Sequence, residues 1–302
     1  MVAASLRALL VRSIDYAGMF PPCSLELEPA LKNQAEYARS ADSWMLSAFV
    51  LQVAKFGEAG RFVSLFDKQH PLRVSTLGAK TDNFANFQTE LKGAAEAIRA
   101  FQTQHVDLVS VAQLEMVLPK DVDLAKLNDA ATVLADLKVQ TFWETPAELA
   151  DQTIALLARM KQPSFGYKLR TGGVTADAFP SSVQIARAIL ASTRHHVPIK
   201  FTAGLHHPVL QFRDEVKTEM HGFLNVIGAG VLSAEHQWDE AQTVDMLEDQ
   251  NAKSFEFHDT VFAWRDWEIT LDRIKARRKF ITSFGSCSFD EPREDLRQLG
   301  ML

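Results

Sequence analysis

Residues 165–207 read FGYKLRTGGVTADAFPSSVQIARAILASTRHHVPIKFTAGLHH. FGYKLR is a strand with Lys168 and Arg170 on one face, because residues i and i+2 of a strand point the same way. TGG is a turn, an amphipathic helix opens at Pro180, and VPIKFT is a second strand in which Lys200 and Thr202 share a face. Two parallel strands joined by a helix make a right-handed crossover that sets their carboxyl ends side by side. A lysine between apolar strand residues is costly to bury unless its ammonium finds a partner or its pKa shifts. Two of them in consecutive strands call for a shared explanation.

The rest of the chain repeats this alternation. Strand-like runs lie at 9–16 (LLVRSIDY), 44–52 (WMLSAFVLQ), 72–78 (LRVSTLG), 106–111 (VDLVSV), 137–144 (LKVQTFWE), 165–170, 197–202 and 279–285 (KFITSFG). They are almost continuously apolar, as parallel strands covered on both faces are. Helical patterns fall at 27–38, 56–66, 84–101, 124–134, 147–160 and 183–190. Eight strands alternating with helices, without a low-complexity linker, predict an α/β fold of the (β/α)8 TIM-barrel type, one domain over residues 1–302. The rival is an open doubly wound sheet, but no G-x-G-x-x-G follows any strand. Residues 208–278 are more than one crossover needs, and read as an insertion between strands 7 and 8. Its pattern is a long helix at 219–235, a second at 240–247, and a hairpin in SFEFHDTVFAWRDWEIT. This aromatic-rich segment fits local core, a cover for the barrel mouth, or a homo-oligomer contact.

Composition narrows the function classes. The chain has 302 residues, 47% hydrophobic and 23% charged, with 32 basic against 38 acidic side chains and a net charge of −6. That balance offers no electrostatic footprint for nucleic acid or an anionic membrane surface. Cys23 and Cys287 make no disulfide framework, and reduced cytoplasmic thiols are the default expectation. Arg12 and Asp15 interrupt the N-terminal apolar run before it could serve as a signal or a span.

In a barrel of this kind chemistry sits where the strands run out into loops. Those positions hold Asp15, Asp107, Glu144, Lys168, Arg170, Lys200, His206, His207 and the FGSCSF turn with Gly285, Ser286 and Ser288. Lys168 and Lys200 facing each other would repel, favouring a neutral amine on one of them and hence a nucleophile for a carbonyl. Taken singly, each lysine also fits a strand-end residue whose charge reaches solvent.

LKVQTFWETPAEL, FGYKLRTGGVTADAFPSSVQIARAIL, VPIKFTAGL and FGSCSF together resemble the class I deoxyribose-phosphate aldolase family. The likeness lies in strand order, in the Thr-Gly turn after the first lysine (Thr171, Gly172), in a second lysine one strand later, and in a final small-residue loop that would cradle an anion. It covers most of the chain outside 208–278 and is weaker over the first half. The resemblance implies a lyase of carbohydrate metabolism that needs no cofactor. It implies Lys168 as the imine-forming nucleophile, Lys200 as the neighbour that lowers its pKa, Asp107 as the proton-relaying acid, and Asp15 as a carboxylate holding Lys200. Glu115 and Glu144 remain alternatives for the acid. Arg170 stands where that family has a small hydroxyl residue, and AGLHHP replaces its glycine-rich phosphate turn. Arg170 would depress Lys168 further, and also suits an anionic substrate group.

Three readings follow. The first is a class I aldolase-like lyase acting through a Lys168 Schiff base on a small, anionic carbonyl such as a sugar phosphate or keto acid. The second is an isomerase or lyase on the same barrel working by acid–base or metal chemistry through Glu144, His206 and His207. Adjacent histidines in one loop do not readily ligate one ion, so no metal site is assigned. The third is a barrel that binds a metabolite without turnover.

Overall fold

The computed structural model describes residues 2–302. After an N-terminal helix α1 (Ala4–Leu10) come β1 (Ile14–Tyr16), α2 (Leu27–Tyr37), β2 (Leu46–Gln52), the short α3 (Phe56–Ala59) and β3 (Leu72–Leu77). Then follow α4 (Phe84–Gln104), β4 (Val109–Val117), α5 (Leu124–Leu134), β5 (Gln140–Glu144), α6 (Ala150–Met160), β6 (Phe165–Arg170), α7 (Ser182–His195) and β7 (Ile199–Thr202). With β13 (Ile281–Ser286) these strands close a parallel barrel in the order β1-β13-β7-β6-β5-β4-β3-β2, a (β/α)8 barrel. The opening motif folds as its pattern predicts. Lys168 and Lys200 are register partners across β6 and β7, and Ser181 caps α7 in a reciprocal capping box with Gln184.

Three strand readings shift. In the first run Leu9 and Leu10 belong to α1, and only Ile14–Tyr16 is strand. The cause is tertiary: α1 packs on helix α10 (Leu271–Arg277), which precedes the last strand, and on strands from the same region. In the fourth run the strand starts at Val109 rather than 106 and continues to Val117. The aromatic segment forms three antiparallel strands rather than a hairpin: β10 (Phe255–Phe257), β11 (Val261–Trp264) and β12 (Trp267–Thr270). The 56–66 helix breaks after one turn into 3-10 structure, with Gly57 and Gly60 weakening it.

The residues between β7 and β13 fall into two kinds. A small hairpin, β8 (Gln211–Arg213) with β9 (Thr218–Met220), takes the first part of the long helix expected at 219–235. The helix itself, α8 (Phe223–His236), touches α7 and β13 and so serves as the barrel's own crossover helix. Helices α9 (Glu240–Leu247) and α10 with the β10–β12 sheet then cover its outer side, which is why Phe223 through Ser233 are buried all round. Asn225 ties the layers together. Its Oδ1 accepts from Leu210 N at 2.9 Å, and its Nδ2 donates to the carbonyls of Met246 and Asp249 at 2.7 and 2.8 Å. The last helix, α11 (Asp290–Gln298), follows β13, and no helix among the described residues is long and apolar enough to cross a membrane.

Because Asn225 is fully buried, Asn225→Leu strands one amide and two carbonyls of other segments. It should lower unfolding free energy by roughly 3 kcal/mol, read as a lower urea midpoint at unchanged m-value.

Candidate active site

Strands β1, β3, β4, β5, β6, β7 and β13 each send a polar side chain into one buried cluster at the carboxyl end of the barrel. Lys168 Nζ lies 2.9 Å from Glu115 Oε2 and 2.7 Å from Glu144 Oε2. Lys200 Nζ lies 2.5 Å from Glu115 Oε1 and 2.8 Å from Asp15 Oδ2, and donates to Gln113 Oε1 at 2.6 Å. Ser75 donates to Glu115 at 2.5 Å, and Ser283 donates to Asp15 Oδ2 at 2.6 Å. Glu115 is therefore shared, one oxygen to each lysine. Three carboxylates, Asp15, Glu115 and Glu144, surround two ammoniums.

That count reverses the electrostatic expectation. The lysines do face each other across β6 and β7, but Glu115 stands between their charges. Burial alone would pull Lys168 down, yet Glu115 and Glu144 outweigh it and push its pKa above the ordinary lysine value. Burial would likewise raise Glu115, but Lys168 and then Lys200 outweigh it and hold its carboxyl well below the usual range. Lys168 is thus an ammonium at rest, and the depression expected from Lys200 and Arg170 is not what this cluster produces.

A cavity of about 610 Å³ opens above the cluster. Asp15, Glu115, Lys168, Arg170, Lys200, His206, His207 and Gly285 line it, all but Glu115 from the expected site set. Lys168 reaches its surface while Lys200, wholly inaccessible, lies beneath. Arg170 has no ion-pair partner among the described residues and is exposed at the mouth. Asp15 Oδ1 and Thr202 Oγ1 are buried oxygens without a protein hydrogen-bond partner. Hairpin β8–β9 supplies Arg213 and Met220, and the loop after β1 supplies Phe20, Pro21 and Pro22.

Other expected residues hold the walls. Thr171 donates to Ala203 O at 2.6 Å, tying the β6 loop to the β7 loop. Gly172 packs so closely on Phe179 and Gly204 that a Cβ would meet them at 2.7 and 2.8 Å. Ser286 Oγ accepts from Ser288 N at 3.4 Å and Ser288 Oγ accepts from Glu291 N at 3.1 Å, so both hydroxyls hold the turn into α11. His206 Nδ1 lies 2.9 Å from Glu291 Oε2, and His207 Nδ1 2.6 Å from Asp295 Oδ2, fastening the β7 loop to α11. Among the described residues no group of three His, Cys, Asp or Glu is arranged to hold a metal ion.

Asp107 stands apart from all of this. It precedes β4, at the opposite end of the barrel from the cavity, exposed and 3.3 Å from Lys68. Because β4 runs eight residues further than Val109, the carboxylate that reaches the mouth is Glu115. The alternation of VSVAQLE puts Gln113 and Glu115 on one face, but Asp107 has the same parity, and only the extent of the strand separates them.

No family model matches this sequence, and no curated protein matches it. Among solved structures it is similar to two crystal structures of a "putative deoxyribose-phosphate aldolase" from Toxoplasma gondii ME49. For one, the TM-score is 0.49 at 10% identity, over 98% of this chain and 96% of that one. For the apo form the TM-score is 0.41 at 10% identity with the same coverage. At those values the chemistry of this cavity has to come from its own residues.

Breaking a buried ion pair by removing one partner costs about 3–5 kcal/mol. Lys200→Met should destabilise by that amount, since it leaves Asp15 and half of Glu115 unpaired. The shifted groups also set a pH window. Glu115, held low, contributes stability above its ordinary value near ~4.3, and the contribution is lost as pH falls toward its folded value. Lys168, held high, contributes below ~10.4 and its share is lost as pH rises beyond that. The contributions of these two groups should be flat between those limits; His221, held below its ordinary value by burial, adds its own loss of stability as pH falls through ~6.5. Glu115→Gln should remove the part of the acid-side fall that Glu115 causes.

Proposed function

We propose that the cavity makes or breaks a carbon–carbon bond through an imine on Lys168, as class I aldolases do, with a small anionic carbonyl compound as substrate. The observation that carries this is Lys168 Nζ at the cavity surface, 2.7 Å from Glu144. Imine formation needs the neutral amine, so the resting ammonium must first give up a proton. Glu115 is the poorer acceptor, because two ammoniums hold it ionised. Glu144 contacts only Lys168 of the two and takes the proton. The freed amine adds to the carbonyl, the protonated Glu144 helps expel the hydroxyl as water, and the iminium then acts as electron sink for the bond next to it. Lys200 lies beneath and keeps Glu115 and Asp15 in place through its contacts with both. Arg170 offers a planar, unpaired guanidinium to a carboxylate or phosphate on the substrate.

One observation favours the second reading as well. A lysine held protonated can stabilise an enolate or donate a proton without any covalent adduct, as in an acid–base isomerase.

The two readings part in one experiment. Borohydride added with small aldehydes or α-keto acids should leave a reduced adduct on Lys168 in the intact-mass spectrum, absent in Lys168→Arg. Trapping should speed up with rising pH, as more of the amine becomes neutral. Glu144→Gln should slow turnover by about 10²- to 10⁴-fold. No adduct across both substrate classes, with activity surviving in Lys168→Arg, selects acid–base chemistry instead.

A further inference from the structure

Two cysteines separated by nearly the whole sequence meet beside the cavity. Cys23 lies in the loop after β1 and Cys287 directly follows β13, and their sulfurs are 2.9 Å apart. Both are free thiols, Cys23 exposed and Cys287 buried. That separation is within about 1 Å of the ~2.05 Å sulfur–sulfur bond, so bridging them asks for little backbone movement. Their positions matter because the loop carrying Cys23 supplies Phe20, Pro21 and Pro22 to the cavity wall, and Cys287 is itself a lining residue.

We propose that Cys23 and Cys287 are a site of reversible oxidation by hydroperoxides, and that the disulfide formed there pins the β1 loop to the end of β13 and stiffens that wall of the cavity. Cys23 is the thiol a peroxide reaches first. Its thiolate takes the distal oxygen of ROOH, the O–O bond breaks, and ROH leaves with the thiol proton. The sulfur of Cys287 then attacks the sulfenic acid, the S–S bond forms, and the hydroxyl leaves as water with the Cys287 proton. Two thiols and one hydroperoxide give one disulfide, one alcohol and one water, with the sulfurs oxidised and the peroxide reduced. Burial pushes the Cys287 thiol up to about 12, so it is not the sulfur that attacks first; its place 2.9 Å from Cys23 gives it the resolving role. A thiol reductant reverses the change by exchange at the exposed Cys23 sulfur.

The test needs no turnover, so it stands or falls separately from imine chemistry at Lys168. The full chain is treated with stoichiometric hydrogen peroxide, unreacted thiols are alkylated, and tryptic peptides are mapped by mass. The expected product joins peptides 13–32 and 280–293 and is two hydrogens lighter than their sum. Hydrogen–deuterium exchange across residues 17–25 should slow in the oxidised protein and recover with dithiothreitol. In Cys23→Ser, Cys287 should stay reduced and exchange should not respond to peroxide. Cys23 trapped as sulfinic acid while Cys287 remains alkylatable would overturn the proposal, as would a disulfide linking two chains. A disulfide that forms but leaves exchange at 17–25 unchanged would overturn the stiffening.

Discussion

Glu115 is the residue on which the interior of the barrel depends. A carboxylate is the smallest group that can present one oxygen to each of two ammoniums, and here it separates Lys168 from Lys200. Without it, two positive charges on register partners would face each other in a low-dielectric core. With it, and with Asp15 and Glu144 on the flanks, each ammonium has carboxylate neighbours on two sides. The arrangement makes the buried cations tolerable and separates them by depth. Lys200 lies wholly enclosed between Glu115 and Asp15, whereas Lys168 lies at the cavity surface with Glu144 beside it.

The same arrangement sets the terms for any chemistry at Lys168. In the imine reading proposed above, Lys168 becomes a nucleophile only after a proton moves to Glu144, so that reading rests on a short proton transfer inside the cluster. The walls above it come from well-separated parts of the chain. The β7 loop is fastened to α11 by His206 and His207, the hairpin β8–β9 leans in from the connection to α8, and the loop after β1 closes the side next to Cys287.

The covering of α8 shows why chain segments far apart in sequence matter to the same core. Apart from Asn225, its residues Phe223 through Ser233 are apolar or small on every side, a pattern that fits burial without saying by what. The cover is α9, α10 and the β10–β12 sheet, and Asn225 holds α9 and the residues just after it to the helix. Helix α1 shares that neighbourhood, which turns Leu9 and Leu10 from strand-like residues into helix.

Read alone, the sequence gives the alternation of strands and helices, the facing of Lys168 and Lys200, and the faces that Arg170 and Thr202 share with them. Those features follow from periods of two and 3.6 residues and from crossover handedness, which are local rules. Tertiary structure decided which carboxylate lies between the lysines, because Asp107 and Glu115 are both acids near one strand and only the length of β4 tells them apart. It also decided the sign of the shift at Lys168. That sign is set by burial against the carboxylates of β4 and β5, and no spacing within one strand–helix–strand unit contains it. The meeting of Cys23 with Cys287 is of the same kind: closing the barrel brings β1 beside β13, and a contact between chain ends exists only once the last strand has closed the ring.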